Sequence, residues 1–311
     1  MAVAARVDPK TYFPPEQWAR LTARSDAMGL FLIAHAWGVI ALAVAMAIVW
    51  PLTIPLAVMI IGGRQLGLAI LMHDAAHGAL ARNLKLNDFL GERLTPGGLF
   101  KYRPYHLQHH KFAQQAEDPD LVLSAPFPIT RLSLRRKIVR DLTGRTWLKL
   151  RWGQMAAELK ARKPGEPVWP ILARELKRKR RFFVGGLVTT AIFAPFGHWW
   201  VWPVLWVLPA ATWLQMITRL RNIAEHACIA KDEPDPLRHA RTTRANLIER
   251  AVLAPYWVNY HCEHHMFMHL PCYSLPRAHR LLKAQGVTAR MEVQPGYLKV
   301  LAMASAKPAA A

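Results

Sequence analysis

Acidic residues and cysteine are what this sequence has least of. Twenty Asp and Glu stand against 41 Lys and Arg, a formal charge of +21 over 311 residues. A surplus of that size selects an anionic partner, either nucleic acid or a membrane surface. No RNA- or DNA-binding motif accompanies it, so no nucleic-acid partner is expected. The three cysteines, Cys228, Cys262 and Cys272, form no CxxC pair and no even-numbered framework. That excludes a disulfide scaffold and leaves reduced bystander thiols. The N-terminus carries Asp8 and Glu16 and has no short apolar core with a small-residue cleavage site. No signal peptide is expected, and targeting falls to the first membrane helix. Repeats are absent, and the only biased tract is an Ala-rich tail, 296–311, read as disordered.

What the chain does have is long apolar runs. The first, 30–50, is interrupted only by His35, and the second, 52–72, carries Arg64 as its one charge. About 20 residues at ~1.5 Å rise match a hydrocarbon core of ~30 Å. Two further runs, 182–196 and 199–220, flank Gly197 and His198, with Trp199, Trp200, Trp202 and Trp206 placed as an interfacial aromatic belt. The expected fold is an all-α integral membrane protein of four transmembrane helices in two hairpins, under a helical cytosolic cap, 73–181 and 221–295. The whole chain, 1–311, reads as a single domain. From Arg131 to Arg181 there are 17 basic and 4 acidic residues. By the positive-inside rule the cap and both termini are cytoplasmic. This basic stretch serves topology and anionic-lipid contact, with docking of an acidic electron donor as the sharper alternative. The abundance of Ala, Arg and Pro points to a bacterium, hence its inner membrane.

Nine of the 14 histidines fall into four clusters. They are His73-Asp-Ala-Ala-His77, His106-Leu-Gln-His109-His110, Asn222-Ile-Ala-Glu-His226 and His261-Cys-Glu-His264-His265. Spacing i, i+4 puts two imidazoles on one helical face. In each HxxHH unit three imidazoles are expected to converge from one turn. One HxxxH pair means little, but four clusters at the cytoplasmic edge of the apolar runs define a site. One zinc takes four ligands, so nine imply two ions. HExxH is absent, which counts against a zinc hydrolase, and copper sites commonly use fewer ligands and often a thiolate. Two irons, each with an open position for O₂, fit the count.

HDAAH, HLQHH and HCEHH, with a separate NIAEH, resemble the three histidine boxes and extra ligand of the membrane fatty acid desaturases. The resemblance runs from about Arg64 to Arg280. It implies that His73, His77, His106, His109, His110, His226, His261, His264 and His265 hold two non-heme iron ions, with Asn222 approaching a metal through water. It implies an O₂-dependent oxidoreductase that introduces a C=C bond into an acyl chain (acyl-lipid, acyl-CoA or acyl-ACP) threaded into a kinked tunnel. Two electrons would come from a ferredoxin or a cytochrome b5 chain. No His-Pro-Gly-Gly heme loop is present, so that donor is a separate protein. His265-Met-Phe-Met-His269-Leu-Pro271 departs from the family pattern, and His269 is read as a neighbour of the ligands or part of the tunnel wall. A lipid or carotenoid hydroxylase or ketolase shares these boxes. The compact length and the HLQHH…EDPD segment also resemble a desaturase acting on a small amino-acid-derived metabolite. A metal transporter would place its ligands near the bilayer midplane, which these clusters do not match.

Ligating imidazoles usually donate their second N–H to a carboxylate or carbonyl. Asp74, Glu225 and Glu263, inside the boxes, are the expected acceptors. Glu117, Asp118 and Asp120 are given a structural role. Arg64 and Gln65 lie in the second membrane run, where a charge faces the protein interior; a structural partner is expected for Arg64. The aromatics of Ala254–Tyr260 line the tunnel or pack the cap on the membrane helices, and sequence leaves both open.

Overall fold

A computed structural model of the chain describes residues 6–163, 165 and 167–308. The molecule is mostly helical. In chain order the helices are α1 (Pro15–Thr22), α2 (Asp26–Val49), α3 (Ile54–Ala76), α4 (Leu84–Arg93), α5 (Leu99–Lys111), α6 (Leu121–Ser124), α7 (Arg131–Leu142) and α8 (Arg145–Lys160). They continue with α9 (Trp169–Arg178), α10 (Arg180–Phe193), α11 (Leu208–Ala211), α12 (Trp213–His226), α13 (Leu247–Val252), α14 (His261–Met266), α15 (Leu275–Ala284) and α16 (Tyr297–Ala304). Two short strands, β1 (Arg241–Thr243) and β2 (Glu292–Gln294), pair in parallel with Thr242 opposite Val293. The chain divides into two compact units. One comprises the residues up to Val39, Gly63–Arg135 and the residues from Ile217; the other comprises Ile40–Gly62 and Arg136–Met216.

Among the described residues two stretches are long and apolar enough to cross a membrane, Asp26–Val49 and Pro51–Ala76. The second opens on a 3-10 turn, Pro51–Thr53, where proline supplies no N–H to continue α2. Phe31, Leu42, Val49, Trp50 and Leu52 are exposed. Apolar surface of that extent is stable against lipid and costly against water. The runs 182–196 and 199–220, expected as the third and fourth spans, are not continuous helices of that length. The first ends α10 in a 3-10 turn, Ala194–Phe196, followed by left-handed Gly197. The second contains a π-turn at Pro203–Val207, the four residues of α11, and a break at Thr212 before α12. Pro203 and Pro209 cause this, because neither can donate the i→i−4 bond of a regular helix.

In the first unit, α3 is anchored at its C-terminal end, which carries the first histidine box. Arg103 of α5 donates to the carbonyls of Ala75 and Ala76 at 3.0 Å each, and Asn87 Nδ2 of α4 also reaches Ala75 O at 3.0 Å. These bonds satisfy terminal carbonyls that no helix residue can reach. Gly91 lets α4 lie against α3: a Cβ there would meet Ala75 Cβ at 2.5 Å. The N-terminal segment is pinned by aromatic packing, with Phe13 and Trp18 set edge-on against Phe267 at 5.3 and 5.4 Å. The tail expected to be disordered from 296 instead forms α16, whose Tyr297, Val300 and Ala304 are buried. Packing of that apolar face overrides the low-complexity composition. Residues 309–311 of the expected tail lie outside the described residues.

In the second unit the basic helices α8 and α9 expose Leu148, Trp152 and Trp169 beside their Lys and Arg. Buried Glu175 pairs with Arg178 and, at 3.2 Å, with Lys179.

Candidate metal centre

All nine box histidines lie in the first unit and gather into two groups. His73, His77, His106, His110 and His264 form one; His109, His226, His261 and His265 form the other. Within each group the ligand atoms lie within 4.8 Å of one another. Seven of the nine side chains are buried, and His110 and His265 are half-buried. The ring of His110 stacks on that of His265 at 4.3 Å, so the two groups adjoin.

The partition corrects the expectation that each HxxHH unit converges on one point. His106 and His110 go to the five-histidine group while His109 goes to the other; His261 and His265 go to the four-histidine group while His264 goes to the first. Helical geometry requires this. At ~100° per residue, positions i and i+4 differ by about 40°, whereas i+3 and i+4 differ by about 100°. One turn of α5 and one turn of α14 therefore each feed two sites.

The donor atoms fit metal ions. Nε2 of His106 lies 3.0 Å from Nε2 of both His77 and His110, and Nε2 of His110 lies 3.0 Å from that of His264. In the second group, Nε2 of His261 lies 2.9 Å from that of His226 and 3.2 Å from that of His265. A single ring nitrogen cannot hydrogen-bond two such neighbours with one proton. Nitrogens about 3 Å apart are, however, what ligands ~2.1 Å from a shared ion present at right angles. Neither ring nitrogen of buried His73 has a hydrogen-bond partner among the described residues. An orphaned buried polar group is costly unless something accepts its lone pair. Burial, reinforced by the surrounding imidazoles, holds His106, His110, His226, His261, His264 and His265 well below the ordinary histidine range. They are thus neutral and have the free lone pair that ligation needs.

The carboxylates are distributed differently from expectation. The acceptor for a ligand's second nitrogen is Asp118, whose Oδ1 lies 2.8 Å from Nδ1 of His109. Asp118 also accepts from the backbone N–H of Gln114 and of Asp120, which fixes its own orientation. Sequence reasoning gave EDPD only a structural role. The signal was available, in a carboxylate following the second box at loop distance.

Glu263, fully buried, does not serve a ligand. It accepts from Thr242 Oγ1 of β1 and lies 2.5 Å from His279 Nδ1 of α15. It thereby ties down α14, a six-residue helix with no side-chain N-cap. Asp74 accepts from Cys272 N at 2.8 Å and lies 3.7 Å from His73 Nδ1, beyond hydrogen-bond reach. Glu225 accepts from Arg221 Nε at 2.6 Å and places its other oxygen 3.6 Å from His261 Nε2. His269 is exposed and belongs to neither group. Arg64 is paired structurally, donating to Ala251 O at 2.7 Å and lying over the Tyr256 ring.

Two cavities reach these groups. One is polar and is lined by Tyr102, Asp120, Arg221, Asn222 and Glu225 together with His106, His109, His226 and His261. The other is mostly apolar and is walled by Ile70, Tyr256, Val258, Cys272 and Leu275 beside His73, Asp74, His261 and His264. Tyr256 and Val258, from the aromatic stretch before the third box, thus line a cavity at the ligands.

A helical chain with membrane-length apolar helices and two adjoining, largely buried, all-histidine donor groups has the make-up of a histidine-box protein, with side chains that could hold metal ions. The sequence profile of the fatty acid desaturase family matches residues 48–296, and the chain belongs to that family. It is therefore an oxidoreductase associated with the membrane. Among curated proteins it is similar to dihydrorhizobitoxine desaturase of Bradyrhizobium elkanii, 28% identical over 296 residues. The match covers 89% of this chain and 79% of the relative.

Proposed function

We propose that this chain is an O₂-dependent di-iron desaturase that removes two hydrogens from adjacent carbons of an aliphatic segment and returns O₂ as water. The observation that carries the reading is the gathering of nine imidazoles into groups of five and four, a donor set suited to two irons rather than one zinc. When bound, the metal pair supplies the oxidising power for C–H cleavage. The chain's own residues do the rest. Asp118 orients His109, and the clamp on Glu263 orients the α14 ligands. The small apolar cavity beside His73, His261 and His264 gives the site an apolar wall suited to CH₂ groups. Asn222, on the wall of the polar cavity, would hold a water beside the four-histidine group. No side chain acts as nucleophile.

The two electrons come from a separate ferredoxin- or cytochrome b5-type donor. The runs 182–196 and 199–220 join α2 and α3 in the bilayer as broken spans, with the basic segments and both termini cytoplasmic at a bacterial inner membrane. The substrate of first choice is a fatty acyl chain. A second reading, a small metabolite, is favoured by the relative's being named for dihydrorhizobitoxine rather than for a fatty acid.

Mass spectrometry of lipid and polar extracts from cells expressing the chain, against His264→Ala, tests both. Products two hydrogens lighter in the lipid extract support acyl desaturation, and in the polar extract the second reading. Products one oxygen heavier overturn desaturation in favour of hydroxylation.

A further inference from the structure

The four-histidine group has one protein donor fewer than its neighbour, and Glu225 stands at its edge. Glu225 is 4% exposed and lines the polar cavity with His109, His226 and His261. Arg221 Nε, at 2.6 Å, occupies its Oε1. The other oxygen, Oε2, lies 3.6 Å from His261 Nε2. That same nitrogen already faces His226 Nε2 at 2.9 Å and His265 Nε2 at 3.2 Å. One ring nitrogen has at most one proton to offer, and three acceptors surround it. Arg221 answers Oε1, and Oε2 of this buried carboxylate is left against imidazole lone pairs, a contact that a metal ion among them would make favourable.

We propose that Glu225 is the oxygen donor of the four-histidine site, held toward the ion by Arg221. This rests on the di-iron reading above. It makes the two sites chemically distinct, one all-nitrogen and one with a carboxylate added to four nitrogens. A hard anionic oxygen favours iron over softer ions at that position. Asn222, Glu225 and His226 come from one turn of α12, and all three line the polar cavity.

The test uses the full-length chain purified in detergent and loaded with ⁵⁷Fe, read by iron content, Mössbauer spectra and the rate of iron release to a chelator. Wild type should hold two irons in two distinguishable environments. In Glu225→Ala one environment should change while the other stays, and the iron of the altered site should leave about 10–100-fold faster, the range for lost metal-site support. Glu225→Gln, close in shape and keeping an amide oxygen, should fall between the two and carries the test if the alanine variant misfolds. Spectra and release rates of both variants equal to wild type would overturn the role of Glu225 while leaving the di-iron reading intact. A wild-type chain that takes up no iron pair would overturn that reading itself.

Discussion

The five-histidine and four-histidine groups are built from the same two HxxHH turns yet differ in their remaining members and in much of what surrounds them. The five-histidine group draws on all three boxes, including both histidines at the end of α3. The four-histidine group takes nothing from α3 and adds His226 from α12. His73 and His264 of the first meet a mostly apolar cavity that His261 of the second also lines; His109 and His226 of the second, with His106 of the first, face a polar cavity holding Arg221, Asn222 and Glu225. The difference teaches how one short helix can serve two unlike sites. The i+3 residue leaves the face shared by i and i+4, so neighbouring residues His264 and His265 join different groups.

That division can be broken most directly at α14. His264→Ala should remove one iron and leave the four-histidine site loaded, and His265→Ala should do the reverse. Each should lower product formation by more than about 100-fold, beyond the loss typical of an outer supporting group. Iron content and Mössbauer spectra of the two variants check this. Loss of both irons from either variant would mean the groups are one cooperative site.

Acid is the next lever, and it acts on both groups. His106 and His110 of the second box and His261, His264 and His265 of the third have folded-state values below the unfolded value of about 6.5. Their contribution to stability is therefore complete above about pH 6.5 and is lost as pH falls through and below it. Metal retention should follow the same direction, dropping by more than about tenfold per pH unit below 6.5 because several ligands take up protons together. Chelator competition across pH 5–8 measures it. Unchanged retention down to pH 5 would show that the ligands are not the groups that titrate.

The nine clustered histidines were legible because imidazole pairs at helical spacing are a local pattern, readable without knowing the fold. Membership in two groups was equally present in the spacing, but convergence from one turn was the wrong geometric inference from it. Asp118 was visible as a residue and was misassigned, because a loop's return toward α5 is not written in periodicity. Thr242 and His279, which hold Glu263, lie 21 and 16 residues from it and share no local pattern with it. The broken spans show the same limit. Hydropathy registers apolar length, whereas Pro203 and Pro209 decide continuity through the hydrogen bonds they cannot make.

Asp118 separates the groups more gently than a ligand does. Asp118→Asn keeps the volume but removes the charge facing Nδ1 of His109 and leaves its orientation to an amide. The four-histidine site should lose about 10–100-fold in iron affinity, with the five-histidine site unchanged. Site-resolved iron release reads both at once, and equal weakening of the two sites would refute the assignment of Asp118 to His109 alone.

The smallest expected effect falls on both groups equally, and it sharpens the comparison by being indifferent to it. Glu263 sits between His261 and His264 on α14, so the bond to His279 fixes the rotation of the helix that serves both ions. His279→Ala leaves one Glu263 oxygen buried without that partner, a cost of about 1–3 kcal/mol. For a chain of this size that lowers Tm by several degrees. Rotation of α14 moves His264 and His265 together, so both iron environments should broaden in the Mössbauer spectrum while iron content stays near two per chain. A change confined to one environment would mean that the clamp holds a single ligand rather than the helix.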